Sequence, residues 1–97
     1  MKVLQIGFGR WGETVSKAIQ NDANLDLIGI HTRTPIDNAL YCKNLDLILA
    51  DQSVKAVIIT TPLKNRHKII LQCLEAGKHV LTEKPLAENV LLAQSLI

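Results

Sequence analysis

Short apolar runs alternate with longer amphipathic segments along this chain, and the alternation predicts strands and helices in turn. The strands are predicted at residues 3–6, 25–31, 55–60 and 79–82. The helices are predicted at residues 11–20, 45–50, 64–76 and 87–97. Alternating strands and helices are typical of an α/β, doubly wound (Rossmann-like) fold with a mostly parallel sheet.

Apolar side chains recur at helical spacing in two of these segments and predict which helix faces are buried. In the first helix they are Trp11, Val15, Ala18 and Ile19. In the third helix they are Ile69, Ile70, Cys73 and Leu74. Gly77 follows the third helix at the position where a glycine commonly ends a helix, so we expect the helix to stop there.

The segment between the second strand and the second helix departs from the alternation. A polar stretch at residues 32–38 leads to a weak strand candidate at residues 39–42. A crossover between parallel strands needs about a dozen residues or more, and usually contains a helix. Too few residues are available here. Either the crossover helix is missing or the weak strand does not exist.

The composition is that of one small globular domain. Its 97 residues are 47% hydrophobic and 21% charged, and the net charge of +2 is too small to indicate nucleic acid or a membrane surface as a partner. Cys42 and Cys73 match no metal or redox spacing, so we expect reduced thiols and no metal site. The N-terminal apolar run is too short and broken for a signal peptide, and we expect a cytoplasmic protein.

A glycine motif joins the first strand to the first helix and reads Gly7-Phe8-Gly9-Arg10-Trp11-Gly12. In this position Gly7 would permit a tight turn, Gly9 a close approach of phosphates, and Gly12 close packing of the helix on the sheet. The helix N-terminus would then meet the pyrophosphate of a dinucleotide. A glycine-rich loop can also serve as a plain turn, but its place between a strand and a helix favours nucleotide binding.

Cations cluster at the predicted carboxyl ends of the strands, where ligands bind in open α/β sheets. They are Arg10, Arg33, Lys64, Arg66 and Lys84. This placement favours an anionic ligand, although surface loops are often charged for solubility alone.

The end of the second strand favours NADP over NAD as the cofactor. Counting 20 residues from Gly12 leads to Thr32, followed by Arg33, and no carboxylate lies between Leu27 and Ile36. A carboxylate here would bind the ribose 2′-hydroxyl of NAD, whereas a hydroxyl and a guanidinium suit the 2′-phosphate of NADP. The alternative is that Arg33 is a solvated loop residue.

Further candidates follow the later strands. Thr60, Thr61 and Pro62 end the third strand, where we expect their backbone to lie beside the cofactor. His67, in the first turn of the next helix, is a minor candidate for a cofactor-binding residue. Glu83 and Lys84 precede Pro85 at the end of the last strand. Lys84 could orient a substrate hydroxyl or polarise a carbonyl, although a plain surface lysine is equally compatible with the spacing.

Three stretches together resemble the N-terminal domain of the glucose–fructose oxidoreductase, inositol 2-dehydrogenase and rhizopine-catabolism (Gfo/Idh/MocA) family of NAD(P)-dependent oxidoreductases. They are the glycine motif, the run that ends in Thr60-Thr61-Pro62, and residues 74–86 with the order A-G-K-H-V-L-T-E-K-P. The resemblance implies a Rossmann fold and hydride transfer on a sugar- or polyol-like substrate. It also implies that the glycine loop holds the pyrophosphate, that Thr32 and Arg33 hold the adenosine ribose, and that Lys84 contacts the substrate and the nicotinamide ribose.

Members of that family continue into a second domain that supplies most of the substrate site, including a catalytic histidine. We therefore expect residues 1–97 to be a truncated NAD(P)-binding Rossmann domain that lacks the substrate domain and has little turnover alone. A homo-oligomer, or the missing domain as a partner, is left open. A non-catalytic nucleotide-sensing or protein-interaction module that pairs through an open sheet edge is the alternative.

Overall fold

The computed structural model describes residues 1–62, 64 and 66–82. The elements in chain order are β1 (Lys2–Ile6), α1 (Arg10–Gln20), β2 (Asp26–His31), α2 (Leu45–Leu49), β3 (Val54–Ile59), α3 (Arg66–Glu75) and β4 (His79–Thr82). Apart from the weak strand candidate at residues 39–42, each strand and helix predicted within the described residues is present, with bounds that differ by at most two residues. The helix predicted at residues 87–97 lies outside the described residues. No helix in the described part of the chain is long and apolar enough to cross a membrane.

The four strands form one parallel sheet in the order β2-β1-β3-β4. Side chains alternate across β1, so Val3 packs with Ile19 of α1 on one face, while Leu4 and Ile6 pack on the other. That second face also carries Leu49 of α2 and Ile70 of α3. Helices therefore cover both faces of the sheet, and the predicted doubly wound, Rossmann-like fold is confirmed.

The buried face of α1 differs from the predicted one. The buried residues are Gly12, Ser16 and Ile19, whereas Trp11 is 54% exposed and Ala18 is exposed too. The cause is the close approach of α1 to the sheet at Gly12, which turns the Gly12 side of the helix inward. A side chain at position 12 would come within 2.8 Å of the Thr60 hydroxyl, so only a glycine allows this orientation.

The buried face of α3 agrees with the prediction except at its end. Ile70 and Cys73 are buried, but Leu74 is 42% exposed because it lies at the margin of the buried stripe. Gly77 ends the helix as predicted, with a positive φ of 80°. The amide of Gly77 donates to Leu74 O, and that of Lys78 donates to Cys73 O, which together form a Schellman motif.

No crossover helix forms between β2 and α2, and the weak strand candidate is reduced to a single parallel bridge between Ile30 and Tyr41. The amide of Ile30 donates to Leu40 O, and the amide of Cys42 donates to Ile30 O, both at 2.8 Å. The chain thus leaves β2, forms a short loop, and returns to the same strand. This loop lies at the carboxyl end of β2, where it contributes to the candidate site.

Candidate functional site

A cleft of about 940 Å³ lies at the carboxyl ends of β1, β2 and β3. Three loops and the first turns of α1 and α3 line it. The lining residues are Ile6, Gly7, Phe8, Gly9, Arg10, Trp11, Gly12, His31, Thr32, Arg33, Thr34, Ile36, Thr60, Thr61, Pro62, Lys64, Arg66 and Ile69. The glycine motif, Thr32 with Arg33, and residues 60–62 were all predicted to lie at this edge of the sheet, and the fold brings them together.

The glycine loop is tightly packed at both ends and open in the middle. Gly7 has a φ of 104°, and a Cβ there would lie 2.7 Å from the Thr60 hydroxyl. A Cβ at Gly12 would lie 2.9 Å from Gly7 O. At Gly9, by contrast, a Cβ would have no described atom within 4 Å. The loop therefore offers a bare backbone surface at Gly9, where a ligand can come close.

The N-terminus of α1 faces the same cleft and carries no side-chain cap. Gly9 is the N-cap residue and has no side chain that could accept from the first-turn N–H groups. Such N–H groups, together with the positive end of the helix dipole, bind phosphate or carboxylate. The eleven-residue helix Arg10–Gln20 thus directs an anion-binding end at the space above Gly9.

The charges around the cleft have one sign. Its cationic lining residues are Arg10, Arg33, Lys64 and Arg66, and its described lining contains no aspartate or glutamate. Arg66 is only 8% exposed, and its Nη2 donates to the carbonyl of Thr61 at 2.9 Å. The buried guanidinium holds the loop after β3 and adds positive charge beside it. This set of charges suits an anionic ligand.

The end of β2 supplies Thr32 and Arg33 to the cleft, as predicted, together with His31. The carbonyl of His31 accepts from the Gly7 amide at 2.8 Å, so β2 and the glycine loop are joined directly. The His31 ring nitrogen Nδ1 lies 2.9 Å from Cys42 O. Because a carbonyl can only accept, Nδ1 carries the proton in this contact. The His31 ring therefore connects the end of β2 to Cys42, at the far end of the loop that follows this strand.

The loop after β3 lies against the glycine loop. The Thr60 amide donates to Ile6 O at 2.8 Å, and the Thr60 hydroxyl lies 3.4 Å from the same oxygen. Thr60 thus supports the glycine loop, and Thr61 lies farther along the cleft wall. The Thr61 hydroxyl oxygen is buried and has no hydrogen-bond partner within the described residues.

Among the described residues, one predicted site residue does not line this cleft, and two others fall outside the part of the chain that the structure describes. His67 lies half-buried in the first turn of α3 and does not line it. Glu83 and Lys84, like Pro85, lie outside the described residues. Contact of these side chains with a cofactor stays a prediction, as it does for the residues that line the cleft.

Three features of the site were missed in the sequence. Ile36 and Ile69 line the cleft, and their apolar character alone does not separate them from core residues. Gln5 contacts the glycine loop from below, with its amide nitrogen 2.7 Å from Gly12 O. Gln5 could have been noticed in the sequence because it is a polar residue inside the apolar run of the first strand.

Taken together, the cleft fits a dinucleotide. The bare backbone at Gly9 and the uncapped N-terminus of α1 offer N–H groups that a phosphate-bearing ligand would satisfy. The two features coincide, because Gly9 is the N-cap residue of α1 and borders the cleft. The residues that would hold the pyrophosphate are therefore those of the glycine loop and the first turn of α1.

Residues 1–97 match a family profile described as an oxidoreductase family with an NAD-binding Rossmann fold. Biliverdin reductase A of Mus musculus is 32% identical over 99 residues, which cover 97% of this chain and 34% of the reductase. Inositol 2-dehydrogenase of Rhizobium meliloti is 31% identical over 88 residues, which cover 84% of this chain and 27% of the dehydrogenase.

The fold is also similar to a solved structure from Desulfitobacterium hafniense, a protein provisionally named an NADPH-dependent oxidoreductase. The TM-score is 0.88 at 30% sequence identity, and the match covers 99% of this chain and 30% of that protein. The chain thus spans about a third or less of the length of these relatives.

Proposed function

We propose that the cleft of this chain, which belongs to the Gfo/Idh/MocA family of oxidoreductases with an NAD-binding Rossmann fold, binds NADP(H) in preference to NAD(H). The observation that carries the proposal is the lining at the end of β2. Thr32 and Arg33 both border the cleft there, and its described lining contains no carboxylate. The protein from Desulfitobacterium hafniense, whose name refers to NADPH, supports the same choice.

The chemistry of these two side chains accounts for the preference. Arg33 would form charge-assisted hydrogen bonds with the 2′-phosphate, and Thr32 would donate its hydroxyl to the same group. A carboxylate at this place would repel the phosphate and accept instead from the 2′-hydroxyl of NAD. His31 keeps the loop after β2 attached to Cys42, which restricts where Arg33 can lie.

The glycine loop would hold the middle of the cofactor. Its pyrophosphate would lie over Gly9 and accept from the first-turn N–H groups of α1, with Arg10 and Lys64 on the rim of the same cleft. Thr61, which lines the cleft, would lie along the cofactor beyond the pyrophosphate. Because Gly9 has no side chain, nothing on the described loop separates the backbone from the phosphates.

We further propose that the protein takes part in hydride transfer between NADP(H) and a carbon that bears a hydroxyl or carbonyl in a sugar- or polyol-like substrate. The nicotinamide ring supplies or accepts the hydride when the cofactor is bound. The inositol 2-dehydrogenase among the relatives supports a polyol. Lys84 is the residue proposed to contact that substrate. We also propose a cytoplasmic location, because Cys42 and Cys73 are both free thiols.

A titration with NADPH and NADH tests the cofactor proposal, with nicotinamide fluorescence as the signal. The wild-type chain should bind NADPH more tightly than NADH. Arg33→Ala should weaken NADPH binding about tenfold, the magnitude of one charge-assisted hydrogen bond, and leave NADH binding nearly unchanged. Lys55→Ala is the matched control, since Lys55 is an exposed cation near the start of β3 that does not line the cleft. Equal affinities for the two cofactors that do not respond to Arg33→Ala would contradict the preference for NADP.

A further inference from the structure

Gln5 lies inside the sheet at a position where an aliphatic side chain would be expected. It belongs to β1, its exposure is 0%, and its neighbours Leu4 and Ile6 are buried apolar residues. By the alternation of the strand, its side chain lies on the same face as Val3, toward α1. An uncharged polar side chain that is wholly buried must find partners nearby.

The partners of Gln5 are the two ends of the glycine loop. Its Nε2 donates to Gly7 O at 2.9 Å and to Gly12 O at 2.7 Å. These carbonyl oxygens converge on one point and would repel each other without a donor between them. An amide NH₂ has two N–H groups on one atom and can satisfy both oxygens. A hydroxyl donates only once, and an ammonium or guanidinium would bring a costly charge into the interior.

We propose that Gln5 is a positioning residue of the dinucleotide site, which acts by connecting Gly7 to Gly12. The connection fixes the distance between the two ends of the loop and therefore the direction of the N–H groups around Gly9. Gln5 acts through the loop and need not contact the ligand itself. The proposal rests on the proposed function, because it assigns Gln5 to the geometry of the same cofactor site.

The side-chain oxygen of Gln5 shows that a contribution to stability alone does not account for a glutamine at this position. Oε1 is buried and has no hydrogen-bond partner among the described residues. A buried acceptor without a partner destabilises the folded state, and an aliphatic residue at this position would avoid that loss. A side chain selected for stability alone would therefore resemble Leu4. What glutamine adds is the connection between two loop carbonyls.

The test compares Gln5→Met, Gln5→Glu and the control Ile70→Val in the full 97-residue chain. Met has a similar length and no donor, while Ile70 is a buried residue of α3 that does not line the cleft. The dissociation constant for NADPH is measured by nicotinamide fluorescence, and urea unfolding is measured in parallel. Gln5→Met should bind NADPH about tenfold more weakly, and Ile70→Val within about twofold of wild type.

Gln5→Glu adds a readout that a purely structural role would not change. A protonated glutamic acid keeps one O–H donor for the loop, whereas the carboxylate has none and repels both carbonyls. The ratio of its dissociation constant to that of wild type should therefore rise about tenfold between about pH 5 and about pH 8. This variant at low pH also gives the result if Gln5→Met fails to fold.

The outcomes separate the two proposals. Unchanged NADPH affinity in Gln5→Met, together with a flat pH ratio for Gln5→Glu, would overturn the role of Gln5 and leave the proposed function standing. A wild-type chain that binds neither NADPH nor NADH would overturn the proposed function, and the role of Gln5 with it. Weaker binding in Ile70→Val by the same factor as in Gln5→Met would show that lost stability alone explains the effect.

Discussion

Gly9 and Gly12 lie three residues apart in the same glycine motif, yet the space beside Gly9 is open and the space beside Gly12 is filled. The space at Gly12 is filled by the Thr60 hydroxyl and by Gly7 O, both under 3 Å from where a Cβ would lie. The space at Gly9 contains no described atom within 4 Å and opens on the cleft. One glycine therefore serves the packing of the domain and the other leaves room for a ligand.

The difference predicts that the same substitution lowers stability at one glycine and ligand affinity at the other. Gly12→Ala should destabilise the fold by about 1–3 kcal/mol, because the methyl group meets a backbone oxygen that cannot rotate away. Gly9→Ala should change the unfolding free energy by less than about 0.5 kcal/mol and still weaken NADPH binding about tenfold. Urea unfolding and an NADPH titration on both variants measure the two effects. Wild-type affinity in Gly9→Ala would mean that the pyrophosphate does not lie over this residue.

At the scale of elements, the end of α3 connects three parts of the fold. The Schellman motif at Gly77 turns the chain so that Lys78 enters the interior, where it is only 7% exposed. Its Nζ donates to Asp51 O at 2.7 Å. The buried Lys78 side chain therefore joins the end of α3 and the start of β4 to the loop after α2. The turn at Gly77 sets the position of Lys78.

Gly77→Ala should lower the unfolding free energy by about 1 kcal/mol. Gly77 has a φ of 80°, and a Cβ there would meet no described atom within 4 Å, so the loss is conformational and not steric. Urea unfolding of the variant measures it. Gly77→Asn is the control and should lose less, because asparagine tolerates left-handed backbone better than alanine. An equal loss in the two variants would show that the left-handed backbone is not the cause.

Elements with a local cause were predictable from the sequence, and those with a tertiary cause were not. The stop at Gly77 and the turn at Gly7 follow from what glycine permits, so the sequence indicated them directly. The rotation of α1 depends on the contact between Gly12 and Thr60, residues 48 positions apart, and no periodicity within the helix contains it. This is why Trp11 and Ala18 were assigned to the wrong face.

The candidate site shows the same division. The glycine motif and the pair Thr32 and Arg33 carry recognisable chemistry at recognisable spacing, and the fold brings them to one cleft. Gln5 carries no such motif. Its role depends on the carbonyls of Gly7 and Gly12, which come together only when α1 packs on β1. The sequence shows a polar residue in an apolar strand, but it does not show which groups that residue contacts.

At the scale of the whole molecule, the two faces of the sheet differ in the size of the buried hydrophobic cluster that each carries. The larger buried cluster lies on the side of α2 and α3 and includes Val57, Ile59, Ile70 and Cys73. Cys73 is wholly buried there. Burial raises the pKa of its thiol from 9.0 to about 11, although the positive charge of Lys78 acts in the opposite direction. The thiol therefore stays protonated in the folded state where an unfolded chain would lose the proton.

This predicts a loss of stability at alkaline pH. Between about pH 9 and about pH 11 the unfolded state binds fewer protons than the folded state, so the unfolding free energy falls as pH rises, by up to about 1.4 kcal/mol per pH unit. Urea unfolding at a series of pH values measures the slope. Cys73→Ala should be less stable at neutral pH and should lack this part of the slope. A slope that is identical in the two proteins would exclude Cys73 as its source.

The outward turn of Trp11 has a practical consequence for the molecule. Trp11 is the chain's only tryptophan, it is 54% exposed, and it borders the cleft. Indole emission responds to its surroundings and overlaps the absorption of reduced nicotinamide, so a bound NADPH would both quench the indole and receive its excitation energy. A single intrinsic fluorophore thus lies at the edge of the cleft, and binding of NADPH there would be detectable by energy transfer without any label.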